Sequence, residues 1–163
     1  MVEHRTATIL FVILCMWIAS FAQDRHQLSP DERQHVLDGE FRIISTTDGI
    51  PPQVRKAFCE IARQQSFAMA NPGQQYQVGD VIFDRNLPRR RLVFAGASKE
   101  KWFIHYERGG RGVGHYILVF KIDSSGDTRF LWGGAGTSRA QNLEQLRKMV
   151  AVGQFSDAAN YYW

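Results

Sequence analysis

The sequence predicts an α+β fold: an antiparallel sheet of four to five strands, meandering through the C-terminal half, packed with a long amphipathic helix and a C-terminal helix. Two observations carry that prediction. From Leu92 onward, four segments rich in Val, Ile, Phe, Tyr and Trp follow one another across short polar or glycine-rich gaps, the pattern of consecutive antiparallel strands. Before and after them lie two segments whose apolar residues recur every three to four positions, the period of a helix with one buried face.

The elements follow in order. Ser29-Pro30-Asp31-Glu32 has a capping serine, proline at the first helical position and acids in the first turn, so a short helix starts there and stops at Asp38-Gly39. Glu40 to Thr46 reads as a strand ended by Asp48-Gly49. Pro51-Pro52 opens the long helix: Val54, Ala57, Phe58, Ile61 and Ala62 form its apolar stripe, Arg55, Lys56, Glu60 and Arg63 lie opposite, and Cys59 sits at the edge. Ser66 to Arg91 is irregular, with room for one short strand within Gln74–Phe83. The meander comprises Leu92–Ser98, Lys101–Arg108, Val113–Asp123 and Thr128–Trp132. Trp132-Gly133-Gly134-Ala135-Gly136-Thr137-Ser138 reads as a flexible connector whose N–H groups could meet an anion at a helix start. The last helix begins near Ser138, with Gln141 completing a capping box. Leu143, Leu146, Met149 and Val150 make its stripe, and Gly153 ends it. The order of strand, long helix and meander is similar to that of cystatin-like folds; the likeness is one of topology and carries over no residue.

The N-terminus predicts a destination. Thr6 to Ala22 carries no charge, Ile9–Ile18 is unbroken apolar sequence, Arg5 precedes it, and Ser20-Phe21-Ala22 follows. This is the layout of a cleavable secretory signal over residues 1–22. The run is shorter than the roughly 20 residues that favour an uncleaved anchor. With no Arg-Arg pair before it, the general secretory route is expected, to a periplasmic or extracellular location. Residues 23–163 then form one α+β domain, of ordinary size for a single core.

The 163 residues hold 20 basic and 16 acidic side chains, a formal charge of +4, and two cysteines. Removing 1–22 takes one charge of each sign and Cys15, so the charge stays and only Cys59 remains. An exported chain with one cysteine has no internal disulfide. It is left either free or in an intermolecular bridge.

Several chemistries lack their parts. There is no G-x-S-x-G elbow, no dinucleotide fingerprint in a βαβ unit and no Gly-Lys-Ser/Thr loop. Asp80, Asp84 and Glu107 have no spacing that selects a catalytic pair. With Gly110-Arg111 as a two-residue turn, Tyr106 pairs with His115 and His105 with Tyr116. Both faces of the hairpin are then largely apolar, so both must be covered, by the chain's own helices and loops, by a partner or by a ligand.

These features point to a small non-catalytic binding domain. Its ligand is a protein or an anionic envelope component, met through Tyr106, Arg108, Arg111, His115, Tyr116 and Trp132. Arginine supplies 15 of the 20 basic residues, which suits bidentate contact with carboxylate or phosphate. No cofactor is expected, no membrane span after cleavage, and nucleic acid is a poor fit to so small a net charge. The alternative is a metal-binding protein or metal-dependent enzyme using His105, Glu107 and His115 as a two-histidine, one-carboxylate set for iron or zinc. That set shares a face only if the turn shifts by one residue, to Gly109-Gly110-Arg111.

Overall fold

Apolar periodicity and turn chemistry between them account for most of the architecture. The computed structural model describes residues 27–157; the segment read as a signal and the aromatic end Tyr161-Tyr162-Trp163 lie outside them. The elements are α1 (Pro30–His35), β1 (Arg42–Ile44), a 3-10 turn (Thr47–Gly49), α2 (Pro52–Ile61), β2 (Arg90–Ala97), β3 (Lys101–Arg108), β4 (Gly114–Ile122), β5 (Thr128–Gly136), α3 (Leu143–Ala151) and β6 (Ser156–Asp157). The strands form one sheet in the order β1-β2-β3-β4-β5-β6, every neighbouring pair antiparallel. The fold is thus α+β on an antiparallel sheet. Among the described residues six strands replace the four to five expected, because Ser156–Asp157, read as part of a tail, adds a short edge strand to β5.

The helices sort to opposite faces. Val54, Ala57 and Phe58 of α2 pack with Leu92, Ala95, Ile104, Tyr106, Leu118 and Phe120. On the other face Val36, Leu37, Leu146, Met149, Val150 and Phe155 pack with Phe94, Phe103, Ile117, Val119 and Trp132. Of the three covers considered for the two apolar faces, the chain's own helices and loops provide the cover along most of the sheet. Among the described residues no helix is long and apolar enough to cross a membrane.

The start of α1 follows its cap. Ser29 and Glu32 close a capping box, with Glu32 N donating to Ser29 Oγ at 3.2 Å and Ser29 N to Glu32 Oε2 at 2.9 Å. From α1, Arg33 reaches the far end of the chain: Nη1 donates to Phe155 O at 2.8 Å and Nη2 to Asp157 Oδ2 at 2.5 Å.

Four expectations are corrected. First, α3 starts at Leu143, capped by Asn142, whose Oδ1 accepts from Gln145 N at 2.9 Å; Ser138 plays no part in its start. The backbone before it is committed elsewhere, since Ala140 N–H donates to His105 Nε2 at 3.2 Å. Second, Gly133–Gly136 is strand, not connector. A Cβ on Gly134 would lie 2.8 Å from the Trp132 ring and 2.9 Å from Phe155, so Gly134 makes room for large side chains. Third, Gln74–Phe83 holds no strand; its ladder contact is an isolated bridge from Gly79 to Gly110.

The fourth correction concerns register. Arg108 pairs with Gly114 and Glu107 with His115, so the β3–β4 connection is five residues long rather than two or three. The cause lies outside the hairpin: Gly109 N donates to Arg89 O at 3.1 Å and Gly110 N to Val78 O at 3.0 Å. The glycines that would have closed a tight turn are bonded to the preceding loop instead. Gly109 has no alternative side chain there, since a Cβ would come within 1.9 Å of Gln77 O.

Candidate functional site

The observed register moves the sequence-derived residues. Tyr106 and Tyr116 are cross-strand partners on the α2 face, stacked at 5.3 Å and 17°. Phe58 meets Tyr106 edge-on. Burial pushes the Tyr106 hydroxyl well above its ordinary pKa, with the Arg90 guanidinium beside it. Trp132 lies on the opposite face, buried, its Nε1 donating to Asp157 Oδ1 at 2.7 Å. Arg108 ends β3 half-buried and Arg111 is exposed at the hairpin tip. The six ligand-binding candidates are therefore divided between two faces and a tip.

His105, Glu107 and His115 do come to one face, through a register neither proposed turn supplied. The row Arg91–Glu107–His115–Gly136 crosses four strands as successive cross-strand partners, with His105 one step inward on β3. Both ring nitrogens of His105 are occupied. Nδ1 meets Tyr116 O at 2.8 Å and Nε2 accepts from Ala140 N, which fixes the neutral tautomer with the proton on Nδ1. Burial pushes its pKa down to about 4. Among the described residues no group of three or more His, Cys, Asp or Glu side chains is arranged to hold a metal ion.

Glu107 is the centre of the row. It is almost fully buried, and Arg91 holds its Oε2 from Nε at 2.9 Å and Nη2 at 2.6 Å. Its Oε1 lies 3.7 Å from Arg139 Nη1 and 3.9 Å from His115 Nδ1. Burial lowers the His115 pKa, Glu107 opposes that, and Arg139 adds to it. Tyr76 closes the outer side: the Arg91 guanidinium stands over its ring at 4.5 Å, and burial followed by the charge of Glu107 raises its hydroxyl. A buried carboxylate so held is a clasp across strand ends. Two guanidiniums around one carboxylate leave that clasp with a surplus positive charge.

Outside the clasp, residues 77–88 form a loop closed at its base by Gln77 N donating to Pro88 O at 2.9 Å. The loop displays Val78, Val81, Ile82 and Phe83, and Val113 stands on the adjoining hairpin; their exposures run from 39% at Val113 to 87% at Phe83. The sequence carried a signal for this in Val81-Ile82-Phe83, an apolar run with no pairing partner, but apolar runs in a chain ordinarily announce buried strands. The second open feature, a shallow depression between Glu40–Arg42, Ala97–Lys99 and Trp102, lies at the opposite end of the sheet. No family model, curated protein or solved structure matches the chain.

Proposed function

We propose that the chain is a non-catalytic binding domain that docks an anionic partner, an acidic protein or an anionic envelope component, through one end of its sheet. The observation behind this reading is the concentration of charge there. Residues 76–91, 107–115 and 136–139, which build that end, contain seven arginines, no lysine and three acids, and one of those acids, Glu107, is already held by Arg91. The same end carries the five exposed apolar side chains. Arginine and apolar groups together, with lysine depleted, are the composition of contact surfaces. The engagement of His105 by backbone and of Glu107 by Arg91 favours a structural part for both over catalysis. The signal-like N-terminus adds an exported location, periplasmic or extracellular, to the proposal. Topology similar to cystatin-like folds contributes no residue to it.

The test compares the two ends of the sheet. Arg85 and Arg111 are exposed at the proposed surface, and Lys121 and Arg129 are exposed at the far end. Retention on immobilised polyglutamate and on phosphatidylglycerol vesicles is measured for Arg85→Glu/Arg111→Glu and for Lys121→Glu/Arg129→Glu. The first pair should lose most of the retention on whichever support binds the parent chain, and the second pair little. Equal losses from both pairs, or no retention of the parent on either support, would overturn the reading.

A further inference from the structure

Resting on that reading, we infer that the anionic partner is a phospholipid surface: Val81-Ile82-Phe83 enters its interface while Arg85, Arg89 and Arg111 meet its phosphates. The geometry of the apolar display favours a lipid over a protein. Val81, Ile82 and Phe83 are consecutive residues of an irregular loop, exposed to 65%, 50% and 87%. No helix or strand sets these three side chains in a row, and all are exposed at once, whereas a protein pocket receives side chains from one direction. A lipid interface surrounds a loop tip and accepts apolar groups on every side.

The display is also built rather than slack. Gln77 N–Pro88 O closes the base, the Gln77 side-chain amide donates to Val81 O, Leu87 N donates to Asp84 O at 3.3 Å, and Gly110 N ties Val78 O to the hairpin. Loop and hairpin are therefore joined at Val78–Gly79 and Gly110, with Arg111 and Val113 following on the same hairpin. Gln77 and Tyr76 at the base are buried, while Val81, Ile82 and Phe83 at the tip are exposed. That is the reverse of the arrangement by which a loop shields its own apolar residues.

Charge supplies the rest. Arg85, Arg89 and Arg111 are all exposed, and their guanidinium forks match phosphate oxygens bidentately. Asp80 and Asp84 share the loop and oppose an anionic surface. The arginines outnumber them, and the acids flank the apolar tip rather than interrupt it. Such a contact is peripheral: three or four apolar side chains and a few ion pairs give reversible attachment that weakens with salt.

The experiment is hydrogen exchange of the full chain, read over residues 78–85. Vesicles of phosphatidylglycerol, vesicles of phosphatidylcholine and soluble polyglutamate are added in turn. Phosphatidylglycerol should slow exchange over 78–85 by about tenfold, phosphatidylcholine should not, and 0.5 M salt, a concentration at which the Debye length is only about 4 Å, should reverse the effect. Phe83→Ser should abolish the protection, and Val152→Ser, at an exposed position after α3, should leave it intact. The local readout and these paired variants separate the loop from any attachment through the apolar Ile9–Ile18 run. If phosphatidylglycerol leaves 78–85 unprotected while polyglutamate protects it, the lipid proposal falls and the anionic-partner reading stands with an acidic polypeptide. Protection by neither overturns both.

Discussion

His105 shows what single residues do here. A core imidazole bonded at both nitrogens by backbone has one favourable charge state, and burial holds its pKa down at about 4 against about 6.5 in an unfolded chain. The stabilising difference is fully present above the unfolded value and is lost as pH falls from about 6.5 towards 4, because the unfolded chain takes up the proton first. Denaturant midpoints should therefore decline across that window, by on the order of 3 kcal/mol in all from this residue, and His115, also shifted down by burial, acts in the same direction. His105→Gln should be less stable at pH 7 yet show a shallower pH dependence; an equally steep decline in the variant would assign the effect elsewhere. The sequence put His105 and Glu107 on one face by spacing alone. It brought His115 to them only through a three-residue turn and not through the observed five-residue connection, because the register depends on Gly109 and Gly110 bonding to Arg89 and Val78, contacts made across at least 20 residues of chain.

Among the elements, those whose ends are set locally were legible and those whose ends are set by distant contacts were not. Ser29, Pro30 and Glu32 mark α1 through contacts within four residues, and Pro51-Pro52 with the Val54–Ala62 stripe marks α2 in the same way. The start of α3 was misplaced because Ser138 and Gln141 have the right spacing while Ala140 N–H is drawn to His105. Asn142→Ala should accordingly cost about 1 kcal/mol of stability, and Ser138→Ala close to none. Paired thermal or urea unfolding checks this; a cost at Ser138 equal to that at Asn142 would contradict the observed cap. The extension of β5 through Gly133–Gly136 was hidden for a related reason. Glycine in a strand reads as a break unless the bulky neighbours that need its space, Trp132 and Phe155, are known to lie there.

At the scale of the molecule, the sequence showed a modest positive charge but not its placement. The excess gathers at one end only because β2 starts, β3 ends, β4 starts and β5 ends there, bringing the 76–91, 107–115 and 136–139 segments together. Candidate residues chosen along the hairpin were split by its two faces, while Arg91, Arg139 and the 78–83 loop joined the site from segments that spacing alone could not connect.

The clasp from Arg33 to Phe155 O and Asp157 has a kinetic consequence. Every strand pairs with its neighbour in sequence, so the hairpins β2–β3, β3–β4 and β4–β5 can zip locally, with little chain to close at each step. The Arg33 contacts span 122 and 124 residues and should form after the rate-limiting barrier. Arg33→Ala should then leave the refolding limb of a chevron plot nearly unchanged and raise the unfolding rate about tenfold, as expected of a contact absent from the transition state. A slowed refolding limb would instead place the joining of the chain's two ends within the folding nucleus. On the expected behaviour, that single guanidinium sets how long the folded protein lasts rather than how quickly it forms.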